Sequence, residues 1–88
     1  MTNRNRHEIL ASLVRSSINE KHGLGITKLM YSSFLSQAQV MEFVNELVKH
    51  DLLSFEPNAK KYKVTDKGMI FVSVVDSLEE MLKGKSIL

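Results

Sequence analysis

The sequence predicts an α+β fold: three helices, a two-stranded β-hairpin, then one long helix. Three observations predict it. Apolar residues recur at helical spacing in stretches ahead of residue 50. Helix-capping residues stand at the starts of those stretches. Two short strand-like runs flank the only proline of the chain. With 88 residues, 43% of them hydrophobic and 25% charged, the chain has the make-up of one small globular domain. A core this thin often gains stability by oligomerising.

The first helix is predicted to start at Asn5, with Glu8 three residues on completing a capping box. Ile9, Leu10, Leu13, Val14 and Ile18 follow at helical spacing, and Gly23 and Gly25 are expected to end the element and open a loop. A short second helix fits Thr27 to Ser33, with Thr27 as cap and Leu29, Met30 and Phe34 as apolar anchors. The third helix has the plainest start. Ser36 and Gln39 form an S-x-x-Q capping box, and Val40, Phe43, Val44, Leu47 and Val48 form an i, i+3, i+4, i+7, i+8 stripe. Only Phe34 to Ser36 separates helices two and three, and two short helices joined so tightly form a helix-turn-helix.

Leu52-Leu53-Ser54-Phe55 reads as a strand and Tyr62-Lys63-Val64-Thr65 as its return, across the turn Glu56-Pro57-Asn58-Ala59-Lys60. A hairpin directly after the third helix stands where a wing belongs. Met69 to Val75 is rich in β-branched residues and by propensity alone passes for a strand. Its flanks decide for a helix over about 66–83. Thr65 is a cap, Asp66 suits a first turn, Leu78, Met81 and Leu82 continue the apolar spacing, and Gly84 is a stop.

The chain has no cysteine, which excludes disulfides and cysteine-based metal sites. The basic start, Met1 to Glu8, leads into no apolar signal core, and no run approaches the roughly 18 apolar residues of a membrane span. A cytoplasmic location with no membrane partner is expected. Net charge is +2. Before Met69 ten Lys and Arg meet seven Asp and Glu, a balance of +3, and from Met69 onward the balance is −1. Positive charge therefore sits in the front of the chain and not in its tail.

Ile26-Thr27-Lys28-Leu29-Met30-Tyr31, Leu35-Ser36, Leu47 to Leu53, and Tyr62 to Gly68, in this order and spacing, resemble the small archaeal winged helix-turn-helix proteins that dimerise through a C-terminal coiled coil. The resemblance runs over nearly the whole chain. It implies a homodimer that binds double-stranded DNA, in a regulatory or nucleoid-associated role. It divides the chain into a winged helix-turn-helix part, 1–65, and a dimerisation helix with its tail, 66–88. The chain departs from the family pattern in two ways. Met41 and Glu42 stand on the third helix where members tend to carry Lys, and Asp51 stands where they tend to carry Gly. Asp tolerates the left-handed backbone expected there.

In a helix-turn-helix the start of the second motif helix enters the major groove, which here nominates Ser36, Gln37, Ala38, Gln39 and Met41. Gln pairs with adenine and Ser with base edges or phosphate. Against that reading, Ser36 and Gln39 already have a capping role, and Gln37 is an ordinary solvated residue type. Lys60, Lys61 and Lys63 on the wing suit phosphates or a minor groove, or else only discourage strand pairing. Lys28 near the start of helix two, and Arg4 and Arg6 ahead of helix one, are further phosphate candidates. Glu42 and Glu46 on the third helix oppose a phosphate backbone.

Phe71, Val75, Leu78 and Leu82 follow the 4-3-4 spacing of a coiled-coil seam, and Val74, Met81 and Ile70 widen it, so dimerisation through the last helix is expected. His7, His22 and His50 lack metal-ligand spacing and read as ordinary surface histidines. No Gly-rich phosphate loop or nucleophile elbow appears, so no enzyme and no cofactor is expected. Two other readings stay open: a module of the same fold that binds another protein, and a ligand-responsive regulator with a cleft at the dimer seam.

Overall fold

The computed structural model describes residues 5–83. The elements run α1 (Arg6–Ile18), α2 (Ile26–Ser33), α3 (Gln37–Lys49), β1 (Leu53–Glu56), β2 (Lys61–Val64) and α4 (Asp66–Leu82). The expected α+β order is thus present, with four helices and an antiparallel hairpin. The stop assigned to Gly84 lies outside the described residues.

Local chemistry sets the starts of α1 and α3. The Glu8 N–H donates to Asn5 Oδ1 at 2.8 Å, and the Asn5 N–H donates to Glu8 Oε1 at 3.0 Å. Ser36 and Gln39 repeat the exchange at 3.2 and 3.0 Å. Each box satisfies backbone donors that the first helical turn leaves open.

The first loop differs from expectation. α1 stops at Ile18, with Asn19 as its C-cap, well before Gly23. Gly23 is needed elsewhere. Its φ is +85°, and a Cβ there would lie 2.7 Å from the Tyr62 carbonyl oxygen. The next residue, Leu24, exchanges hydrogen bonds of 2.9 and 2.8 Å with Tyr62, which adds a single rung to the hairpin. That pairing brings the chain to α2 one residue early. Gly25, extended at φ −82°, is the N-cap, and Thr27 sits in the first turn instead of capping it.

Phe34 is not the buried anchor that helical spacing suggests. It closes α2 in the left-handed conformation, φ 60° and ψ 32°, its N–H donating to the Met30 carbonyl at 2.9 Å. Leaving helical geometry there takes the ring off the face that carries Leu29, and Phe34 is 90% exposed. Asp51 also adopts positive φ, 63°, in keeping with its expected role in a position suited to Gly.

The hairpin pairs Leu53 with Val64 and Glu56 with Lys61, so each strand is offset by one residue from its expected span. Leu52 and Thr65 fall outside it because both serve the start of α4. Thr65 Oγ1 donates to the Asp51 carbonyl at 2.7 Å and accepts from the Gly68 N–H at 2.9 Å. At Gly68 an added Cβ would meet the Leu52 carbonyl oxygen at 2.2 Å, so only glycine lets α4 approach so closely. Lys67 Nζ completes the junction by donating to the His50 carbonyl at the end of α3, 3.0 Å away.

The core gathers Leu10, Leu13 and Val14 of α1, Leu29 of α2, Val40, Val44 and Leu47 of α3, Leu53 and Tyr62 of the hairpin, and Val72 of α4. The predicted stripe of α3 therefore faces inward. α4 lies against α1, with Val72 and Val75 buried and Arg15 ion-paired to Asp76.

Candidate nucleic-acid interface

At the start of α3, Ser36, Gln37, Ala38 and Gln39 are exposed, whereas Met41 is half-buried. The side chains of Ser36 and Gln39 hold each other's backbone. Gln37 makes no such bond and is the one polar side chain of this turn with its donors and acceptor open.

The wing places its lysines on one side. Tyr62 is buried, with its ring 4.9 Å from that of Phe55, so Lys61 and Lys63 project from the opposite, outer face beside Glu56 and Ser54. Lys60 ends the turn in the left-handed region at φ 55°. Lys61 also borders a shallow cleft of about 280 Å³ over the start of α2, shared with Lys28, Thr27 and Glu20. Gly25 gives α2 no side-chain cap, so the first N–H groups of that helix point at this cleft without a capping acceptor. Residues 23–41, which span α2, the turn and the start of α3, contain no Asp or Glu.

Arg6 is placed differently from the wing. It ion-pairs with Glu46, and its guanidinium lies over the Phe43 ring, 5.2 Å from the centroid. The cation offered to phosphate is thus engaged against α3, and the same contact neutralises one of the two α3 acids. Glu42 remains exposed. Arg4 lies outside the described residues.

Over residues 3–83 the chain matches a family model described as winged helix-turn-helix. The chain belongs to the winged helix-turn-helix family. No curated protein matches it. Domains of the winged helix-turn-helix family are typically non-enzymatic and bind DNA, which points to a DNA-binding regulator.

In this winged helix-turn-helix domain, α2 and α3 are the motif, β1 and β2 the wing, and α4 an added helix. The residues nominated on α4 separate into two groups. Val75 is buried within the protomer and Phe71 half-buried, so both serve the contact with α1. Val74, Leu78, Met81 and Leu82 are more than half exposed, as is Ile70. The two groups meet at a cleft of about 350 Å³ between α4 and the start of α1, walled by Phe71, Val74, Val75, Leu78, Leu82 and His7. Among the described residues no three His, Asp or Glu gather as a metal site, and no helix is long and apolar enough to cross a membrane.

Two exposed aromatics escaped the sequence reading: Tyr31 at 76% and Phe34 at 90%. Apolar spacing assigns Phe34 to the core. Only the shortness of the gap before Ser36, which demands a sharp reversal, hints otherwise.

Proposed function

We propose that the protein is a cytoplasmic DNA-binding regulator or nucleoid-associated protein that grips double-stranded DNA as a homodimer, mainly through phosphates. The observation that carries this reading is the acid-free stretch 23–41, which runs through α2, the turn and the start of α3, with lysines in and beside it. Lys28 lies in the uncapped first turn of α2 and shares a cleft with Lys61 of the wing, which Lys60 and Lys63 flank. Four lysines suit phosphates, while Gln37 alone in the first turn of α3 is free to read a base. Affinity should therefore fall steeply with salt and vary little with sequence.

The exposed apolar stripe of α4, Ile70, Val74, Leu78, Met81 and Leu82, supports pairing of two copies through residues 66–88, with 1–65 as the DNA-binding part. A twofold arrangement would present two helix-turn-helix motifs to one duplex. The decisive experiment is a fluorescence-anisotropy titration of unrelated duplexes at two salt concentrations. Binding of all of them, weakened strongly by salt, is the expected outcome. Absence of binding to any duplex at low salt would reject the reading. It would favour a module that binds another protein, for which exposed Glu42 beside half-buried Met41 is the supporting observation.

A further inference from the structure

We infer that Phe34 is a DNA-contacting residue whose ring covers a thymine C5-methyl in the major groove; this rests on the DNA-binding reading above. Three described non-glycine residues have positive φ: Phe34, Asp51 and Lys60. Asp51 carries the short polar side chain that eases this conformation, and neither Phe34 nor Lys60 does. Phe34 stands in the helix-turn-helix turn, within the acid-free stretch 23–41, and Lys60 stands on the wing.

Phe34 is doubly unfavourable for the isolated domain. Glycine would close α2 without the clash between Cβ and backbone. Moreover, the ring lies 90% exposed and gains nothing from burial in the protomer. Strain of this kind persists where a function needs the side chain. Its place narrows the partner. Phe34 immediately precedes Leu35 and the N-cap Ser36, so it accompanies the start of α3 into whatever that turn enters. Lys28, in the first turn of α2, and the lack of acids over 23–41 match a phosphate-walled surface. On the floor of a major groove the apolar group open to a ring is the thymine methyl.

The test compares a thymine-containing duplex with the same duplex made with deoxyuridine, which lacks only that methyl. Wild type, Phe34→Gly and Phe34→Asn are titrated with both. Each methyl covered is worth roughly a fourfold change in affinity. Wild type should lose about that factor per protomer on uracil DNA, and the two variants should bind both duplexes equally. The Gly variant should also melt no lower than wild type, which separates lost contact from lost fold. Equal wild-type affinity for the two duplexes would overturn the assignment while leaving DNA binding intact. A Phe34→Gly variant that binds like wild type, or that loses only self-association in sedimentation, would overturn it too. Failure of wild type to bind either duplex would instead remove the DNA-binding reading and this inference with it.

Discussion

Arg6 is ion-paired with Glu46 across the α1–α3 contact, and its guanidinium lies over the Phe43 ring. A basic residue near the chain start that looks available for DNA is therefore part of the fold. Arg6→Gln should lower stability by less than about 1 kcal/mol, because both partners remain partly solvated. It should leave the dependence of log K on log salt unchanged. A slope shallower by roughly 0.9 per protomer would instead place Arg6 on a phosphate.

The wing lysines should behave in the opposite way. If Lys60, Lys61 and Lys63 each hold a phosphate in both protomers, replacing all three with Ala should make the salt slope shallower by roughly five units. All duplexes should weaken about equally. Gln37→Ala, by contrast, should leave the slope alone and alter only the ranking of sequences. Anisotropy titrations over a salt series measure both, and an unmoved slope in the triple variant would reduce the wing lysines to solubilising residues.

The division of α4 into buried and exposed residues makes a sharper prediction about assembly. Val74, Leu78, Met81 and Leu82 still expose 52–78% of their surface. At about 1.5–3 kcal/mol for full burial of each, covering them in both copies yields roughly 7–15 kcal/mol gross. Association costs about 4–15 kcal/mol, so a dimer of modest, micromolar strength is expected. Sedimentation equilibrium should find a dimer at tens of micromolar, and Leu78→Asp should return the 10.0 kDa monomer with its helices intact. Val75→Asp should unfold the protein instead, because Val75 is buried within the protomer. A wild-type monomer at these concentrations would refute dimerisation through α4.

These predictions draw unequally on what the sequence makes legible. The stripes of α1 and α3 and their capping boxes depend on residues three and four apart, so periodicity alone finds them. α4 is legible despite its β-branched run because Thr65 and Asp66 mark a helix start. Other features depend on distant partners. The Leu24–Tyr62 rung joins residues far apart in the chain, and it is this rung that moves the start of α2 away from Thr27. The engagement of Arg6 likewise requires α3 to be in place. Phe34 fails for a local reason: one residue in the left-handed region ends the helical phase on which its inward assignment relied.

Gly68 offers a test of the junction between hairpin and α4. A methyl group there would meet the Leu52 carbonyl oxygen at 2.2 Å, and that carbonyl also accepts from the Thr65 N–H at 3.4 Å. Relief requires the first turn of α4 to move off β1, which disturbs the Thr65 cap and the seating of Val72. Gly68→Ala should therefore cost at least about 1–3 kcal/mol, as overpacking does, although Ala is the better helix former by about 1 kcal/mol. Urea denaturation measures the difference. A stabilised Ala variant would mean that the junction is loose.

Alkaline pH should destabilise the domain through Tyr62. Burial pushes the Tyr62 hydroxyl above its ordinary value of 10.0, because the phenolate is costly away from water. The folded state then keeps its proton at a pH where the unfolded chain loses it. Stability from this group is complete below about pH 10 and declines as pH rises through the folded-state value. Thermal melts at successive pH values from 8 to 11 should show a steeper fall in Tm for wild type than for Tyr62→Phe, which has no proton to release. Tyr31→Phe, altering a ring that is 76% exposed, should follow wild type. Parallel curves for wild type and Tyr62→Phe would mean that the Tyr62 hydroxyl reaches water and that the hairpin packs less closely on α1 than its 6% exposure requires.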